Sequence, residues 1–421
     1  MQHQRTTLDN GLRVITANMP HIRSVSICVY IGVGSRYEAE AEAGISHFIE
    51  HMLFKGTPER PTAREIAEAI EGVGGILNGA TGKELSLYWC KVAQSHFNHS
   101  LNVLADMLLN SKFLPEDIEK ERQIIIDEIN MSLDSPSQRV EMLIDELLWP
   151  NHPLGRDVAG CKESVATIDR DTILNYLQSQ YQPGNTVISI TGDIEHESAI
   201  AAVSQVFGNW TNNQPRSGYL PYQEQPVQRL NIETRDTEQA HLCLGIPGLP
   251  LLHPKRYTLD LLNVILGEGM SSRLFTEVRD RLGLAYSISS HSEHYHDSGS
   301  ITIYAGVEPN NLETAVKAIL EQLAQLKEPV SEHELSRTKE LTTGRLLLGM
   351  EDSRSVAGWL GGQEVLNGRI LSVDEVISIV KAITPQELGE LARELILTSQ
   401  LRLSLVGPIT KSKALEELLK L

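Results

Sequence analysis

The chain has 421 residues with a formal net charge of −18, 41% hydrophobic residues and four cysteines. That length exceeds one core and predicts two or more domains. The dispersed acidity disfavours nucleic acid, whose phosphates call for a basic patch. No apolar stretch approaches the ~18 residues of a membrane span and no basic-then-apolar leader opens the chain, so no membrane association and a cytoplasmic setting are expected. None of the cysteines forms a CxxC pair, which predicts neither a disulfide framework nor a cysteine metal site.

In chain order, residues 1–12 predict a first strand and a turn, and Val25–Gly32 a buried strand. Residues 45–54 follow a helical period. At ~100° per residue, His47, Glu50, His51 and Phe54 share one arc, and Ile45, Phe48, Ile49, Met52 and Leu53 share the other. One face would pack into a core while the other carries chemistry. Two imidazoles four residues apart are stacked one above the other, which suits a pair of metal ligands, and the intervening Glu50 suits a base. Gly44 before and Gly56 after predict a short helix with a glycine cap. Helices are expected over Pro61–Val73 and His96–Leu109, and a longer one over Pro115–Leu133. Ile118, Ile125, Ile129 and Leu133 form the apolar stripe of that longer helix, and Ser135-Pro136 stops it. Glu121 and Glu128, seven apart, lie beside the stripe. A catalytic zinc needs a third protein ligand, but spacing alone does not choose Glu128 over Glu116, Glu119 or Asp127.

Further along, Asp171–Tyr181 predicts an amphipathic helix and Val187–Gly192 a strand. The polar, proline-containing 212–228 stretch predicts a linker. The Gly267-Glu-Gly269 loop lacks the Lys-Ser/Thr of a phosphate-binding loop and the third glycine of a dinucleotide fingerprint, so no nucleotide site is expected. His291, His294 and His296 crowd together, but strand alternation divides them between faces. With Asp297-Ser-Gly299 they predict a polar hairpin, not a metal site. Leu312–Leu326 and Pro385–Leu397 predict helices, and Leu401–Gly407 a strand.

The chain also repeats. Val25-Ser-Ile-Cys28 resembles Ala240-His-Leu-Cys243, and Val187–Gly192 resembles Leu401–Gly407. Cys28 to Cys243 and Gly192 to Gly407 are both 215 residues. Two marks in register predict two copies of one domain. The expected fold is α+β: two homologous domains, each a mostly antiparallel sheet covered by helices, over residues 1–211 and 229–421 with 212–228 as linker. The same offset carries His47, Glu50 and His51 onto Leu262, Ile265 and Leu266, so a single metal site per chain is expected.

His47-Phe-Ile-Glu50-His51, followed by Glu128, resembles the pitrilysin or insulinase family of zinc peptidases, and so does the surrounding Gly44–Thr57 text. The resemblance spans nearly the whole chain. It implies His47, His51 and Glu128 as ligands of one Zn2+ per chain, Glu50 as catalytic base, and Glu121 as the carboxylate behind a zinc-bound imidazole. It also implies that Arg279 and Tyr286, seven apart, reach the substrate near the scissile bond. Gly75–Trp89 resembles the family's substrate strand, with Asn78 and Ala80 holding a peptide backbone. Gly79 stands where the family usually has Ala, and a plain turn role for Asn78 stays open. The implied activity is a zinc endopeptidase or oligopeptidase acting on peptides in a closed dimeric chamber. In a short-chain homodimer, Arg279 and Tyr286 would act in trans. Two alternatives are a processing subunit needing a different partner chain and a non-catalytic scaffold subunit on the same fold.

Overall fold

A computed structural model describes residues 2–211, 218–225, 228–409 and 413–421. The expected linker therefore lies partly outside the described residues, at 212–217 and 226–227. The first half contains strands β1 (Gln4–Thr7), β2 (Arg13–Asn18), β3 (Ser24–Ile31), β4 (Ile76–Thr81), β5 (Ser86–Ala93) and β6 (Thr186–Gly192). Its helices are α1 (Ile45–Leu53), α2 (Ala63–Glu71), α3 (Phe97–Asn110), α4 (Pro115–Asp134), α5 (Pro136–Leu148), α6 (Lys162–Thr167), α7 (Arg170–Gln180) and α8 (His196–Phe207). The second half contains β7 (Leu230–Thr234), β8 (Ala240–Pro247), β9 (Ala285–His294), β10 (Gly299–Val307) and β11 (Arg402–Gly407). Its helices are α9 (Arg256–Gly267), α10 (Leu312–Gln325), α11 (Glu332–Gly349), α12 (Ser353–Asn367), α13 (Val373–Ala382), α14 (Pro385–Leu395) and α15 (Lys413–Leu418), with a π-helical stretch at Phe275–Arg281.

Among the described residues two mixed sheets form, in the orders β1-β2-β6-β3-β5-β4 and β7-β11-β8-β10-β9. Apart from β1, which adds an outer strand to the first, the orders match strand for strand. Each sheet has one parallel pair, β2 with β6 and β7 with β11, and is otherwise antiparallel. The 215-residue offset carries both ends of α3 onto α10 and both ends of α7 onto α14. The fold is thus the expected α+β duplication. Nearly every residue of β3 and β6 is buried, as fits central strands covered on both faces.

The chain forms two compact units that are not contiguous halves. One comprises Met1–Ile129, Asp157–Leu220 and Leu347–Val373; the other comprises Asn130–Arg156, Pro221–Leu346 and Asp374–Leu421. Each half lends one helix to the other's sheet. The first-half helix α5 packs on β8 and β11, and the second-half helix α12 packs on β3 and β6. The local chemistry explains the two docks. Ser404 Oγ donates to the Val140 carbonyl at 2.7 Å, and Gly245 leaves room for Ile144. Gly361 leaves room for Tyr30, and buried Glu364 pairs with Arg5 at 2.9 Å and Arg13 at 3.0 Å. The crossing from first unit to second at Leu220/Pro221 falls inside the expected linker.

One local expectation holds with an addition, and one is corrected. Ser135-Pro136 ends α4 but also starts α5: the Ser135 side chain accepts from the Gln138 backbone, and Pro136 occupies the first turn, where a missing N–H costs nothing. Helix α1 stops at Leu53 with Phe54 as its cap at φ −90°, so Gly56 lies beyond the cap. At φ +145°, Gly56 instead serves a turn in which an added Cβ would come within 2.3 Å of the Pro61 carbonyl oxygen.

Candidate metal centre

Helix α1 starts from Gly44, whose φ of +94° turns the chain sharply. The buried Glu38 carboxylate fastens that turn by accepting from the backbone N–H groups of Gly44 (2.7 Å) and Ser46 (2.9 Å). Ile45, Phe48, Ile49, Met52 and Leu53 are all buried, as the helical period requires. The opposite face carries His47, Glu50 and His51, each partly exposed.

Helix α4 supplies the facing carboxylates. Its buried stripe is Ile118, Ile125 and Ile129, with Glu121 buried among them. One turn-pair further on, Glu128 comes within 3.5 Å of His51 Nε2 and 3.8 Å of His47 Nε2. One ligand atom from each of His47, His51 and Glu128 lies within 4.8 Å of the others, the one cluster of metal-ligand type among the described residues. A tetrahedral ion bound at ~2.1 Å would separate its ligand atoms by ~3.4 Å, so the two carboxylate–imidazole distances already match.

The surroundings prepare one imidazole in particular. His51 Nδ1 donates to Glu121 Oε2 at 3.0 Å, which leaves the Nε2 lone pair facing Glu128. The other oxygen of Glu121 meets the Lys55 ammonium at 2.6 Å. His47 Nδ1 is buried with no hydrogen-bond partner among the described residues. Burial, and then the neighbouring His51, hold the His47 imidazole below its ordinary pKa, in the neutral form that ligates. The donor set therefore fits a divalent borderline metal such as zinc, with three protein ligands and an open side.

Glu50 lies on α1 between the two histidines and is not one of the cluster's three residues. Its Oε2 accepts from the Thr81 hydroxyl at 2.5 Å. Thr81 ends β4, the outer strand of its sheet, which pairs on one side with β5. Asn78 and Ala80 are exposed on β4, and Asn78 Oδ1 accepts from the Gly79 N–H at 2.8 Å. Asn78 is thus a strand residue and not the turn residue its type also permitted.

Arg279 and Tyr286 are brought together in the other unit. The Arg279 guanidinium lies 4.6 Å from the Phe275 ring centroid and 5.2 Å from that of Tyr286, and Tyr286 is 79% exposed. The π-helical stretch gives Arg279 its place, and β9 begins just before Tyr286. The histidine-rich segment is a hairpin. His294 is used structurally, contacting the Leu249 carbonyl (2.6 Å) and Asp260 (2.9 Å). In the second copy, Leu262, Ile265 and Leu266 lie on α9 and are all buried. The four cysteines are free.

Sequence reasoning missed Lys55 and Thr81. Lys55 lies four residues after His51, just past the end of α1, and that spacing is its only local signal. Nothing local marks Thr81, because its partner is 31 residues away.

A duplicated α+β chain in which an inverted His-x-x-Glu-His helix and a glutamate from a second helix form one His-His-Glu cluster defines a class of metallopeptidase folds. The chain belongs to the insulinase family, peptidase family M16. That family's description matches residues 13–162, and the description "Peptidase M16 inactive domain" matches 167–342. It is 40% identical to an uncharacterized zinc protease, YmxG, of Bacillus subtilis, over 96% of this chain and 98% of that protein. It is 34% identical to an uncharacterized zinc protease of Rickettsia felis, over 95% and 96%. The fold matches the crystal structure of a protease from Helicobacter pylori with a TM-score of 0.92 at 24% identity, covering 97% of this chain and 99% of that one. The two zinc-protease relatives support a peptidase function. No helix among the described residues is long and apolar enough to cross a membrane.

Proposed function

We propose that the chain is a zinc-dependent endopeptidase or oligopeptidase, and the observation that carries this is the convergence of His47, His51 and Glu128 with Glu50 alongside. His47, His51 and Glu128 would hold one Zn2+. Bound there, zinc supplies Lewis acidity, which polarises a peptide carbonyl and acidifies water. Glu50 serves as the general base. Its carboxylate takes a proton from the attacking water and delivers it to the leaving amine. Glu121, braced by Lys55, holds the His51 ring in the tautomer that ligates. The free edge of β4, at Asn78 and Ala80, offers main-chain groups to an extended peptide, which suits loose sequence preference.

Arg279 and Tyr286 are a guanidinium and a phenol suited to donate to the oxyanion that develops on the carbonyl. They belong to a different compact unit from the His-His-Glu cluster. The reading we favour is a homodimer enclosing a chamber, in which one subunit's Arg279 and Tyr286 serve the other's Glu50. A cytoplasmic setting and peptide substrates complete the proposal.

The test combines size-exclusion chromatography, metal analysis and cleavage of quenched peptides. The expected result is a dimer of one chain that cleaves when zinc-loaded, with loss of both metal and activity in His51→Ala. Cleavage by a metal-free His51→Ala variant at the wild-type rate would overturn the proposal.

A further inference from the structure

Glu50 makes one side-chain hydrogen bond among the described residues, and it comes from the edge strand. Thr81 Oγ1 stands 2.5 Å from Glu50 Oε2, the short range of a hydroxyl donating to a carboxylate. Two residues earlier on the same strand face, Gly79 also meets Glu50. A Cβ built on Gly79 would lie 3.0 Å from Glu50 Cγ, 3.2 Å from Oε1 and 3.2 Å from Phe54 Cε2. The glutamate stem thus lies against bare strand backbone, and its outer oxygen is held by the next side chain on that face. Thr81 is itself fixed, paired with Ser86 in the β4–β5 ladder and stiff at χ1 because it is β-branched.

We infer that Thr81 is a positioning residue for the base: its hydroxyl holds Oε2 of Glu50, so that Oε1 is the oxygen left to exchange protons. This deepens the proposed function and rests on it. The strand that offers its free edge to a peptide backbone is also the strand that sets the base. A peptide laid along β4 and the carboxylate that acts on it would then share one frame, and an error in that frame appears in kcat. Misplacing a catalytic group by ~1 Å costs on the order of 100-fold in rate.

The experiment compares Thr81→Val, which keeps the shape and removes the donor, with Thr81→Ser, which keeps the donor. Each is made in the wild-type and Glu50→Gln backgrounds. Four quantities are read: kcat, KM, zinc affinity by chelator competition, and the Glu50 side chain in crystal structures of the two single variants. Thr81→Val should lower kcat by about 10–100-fold while KM and zinc affinity stay within about twofold. Thr81→Ser should recover to within about threefold. In the Glu50→Gln background Thr81→Val should add almost nothing, because Thr81 acts through Glu50. Crystals of Thr81→Val should show the Glu50 carboxylate turned from its place beside Gly79; crystals of Thr81→Ser should not.

Three results overturn the inference: a wild-type kcat in Thr81→Val, an equal loss in both backgrounds, or an unmoved Glu50 in the Thr81→Val crystal. Failure of the peptidase reading looks different, since zinc-loaded wild type would cleave nothing or Glu50→Gln would cleave at its rate. The crystal comparison then decides by itself whether Thr81 holds Glu50.

Discussion

Glu121→Gln tests how the metal centre is braced. The carboxylate is buried and makes two contacts, 3.0 Å to His51 Nδ1 and 2.6 Å to the Lys55 ammonium. Glutamine has nearly the same shape but only one acceptor oxygen. If that oxygen takes the His51 N–H, the amide NH2 faces an ammonium; if it takes Lys55, the NH2 faces the His51 N–H. One charge-assisted hydrogen bond is therefore lost in either orientation, worth about 1.5–3 kcal/mol. Part of that loss is shared by the metal-free protein, where Lys55 keeps its carboxylate contact only in the wild type. Zinc affinity should fall by about 10–100-fold, the usual cost of removing a partner behind a metal-bound histidine. Chelator competition on wild type and variant measures it, with circular dichroism confirming that the variant is folded. An unchanged zinc dissociation constant would refute the idea that Glu121 sets the His51 ring.

Other expectations follow from the same geometry. Saturated protein should hold one zinc per chain by metal analysis, since the α9 counterparts of the ligands are aliphatic; two tightly held ions would contradict this. Mixing Glu50→Gln with Tyr286→Phe chains should restore cleavage if Tyr286 acts in trans, because a mixed dimer then has one site with neither defect; continued inactivity of demonstrated mixed dimers would place Tyr286 in cis. Arg273 grips Glu334 through two bonds of 2.9 and 2.7 Å and holds its carboxyl below the ordinary 4.5. The depressed folded pKa means that this stability is present above about 4.5 and is lost as pH falls through the folded value. Glu334→Gln should thus cost ~1 kcal/mol in urea unfolding at pH 7 and much less at pH 3. An equal cost at both pH values would show that the ion pair is not the source.

Much of this architecture is written locally. The α1 face pattern follows from apolar spacing alone, and the 215-residue repeat reappears as two sheets of matching strand order. The exchange of α5 and α12 is not legible. An amphipathic helix states that it must be covered, not by which sheet, and the deciding features are pairings far apart in sequence, such as Gly245 with Ile144 and Glu364 with Arg13. At the site, His47, Glu50 and His51 share one helix and are read together. Spacing alone leaves Glu128 one of several equivalent acidic residues; the family resemblance singles it out, and the structure brings it to the two imidazoles. The Thr81 contact has no periodic trace, because it joins a strand to a helix through tertiary packing.

The central claim is that Glu50 acts as a base beside a metal it does not bind. Zinc-loaded Glu50→Gln, assayed for both metal and peptide cleavage, tests it most directly. The account predicts one zinc per chain held as tightly as in wild type, with hydrolysis reduced by roughly a thousandfold or more. Cleavage near the wild-type rate with zinc in place would contradict it.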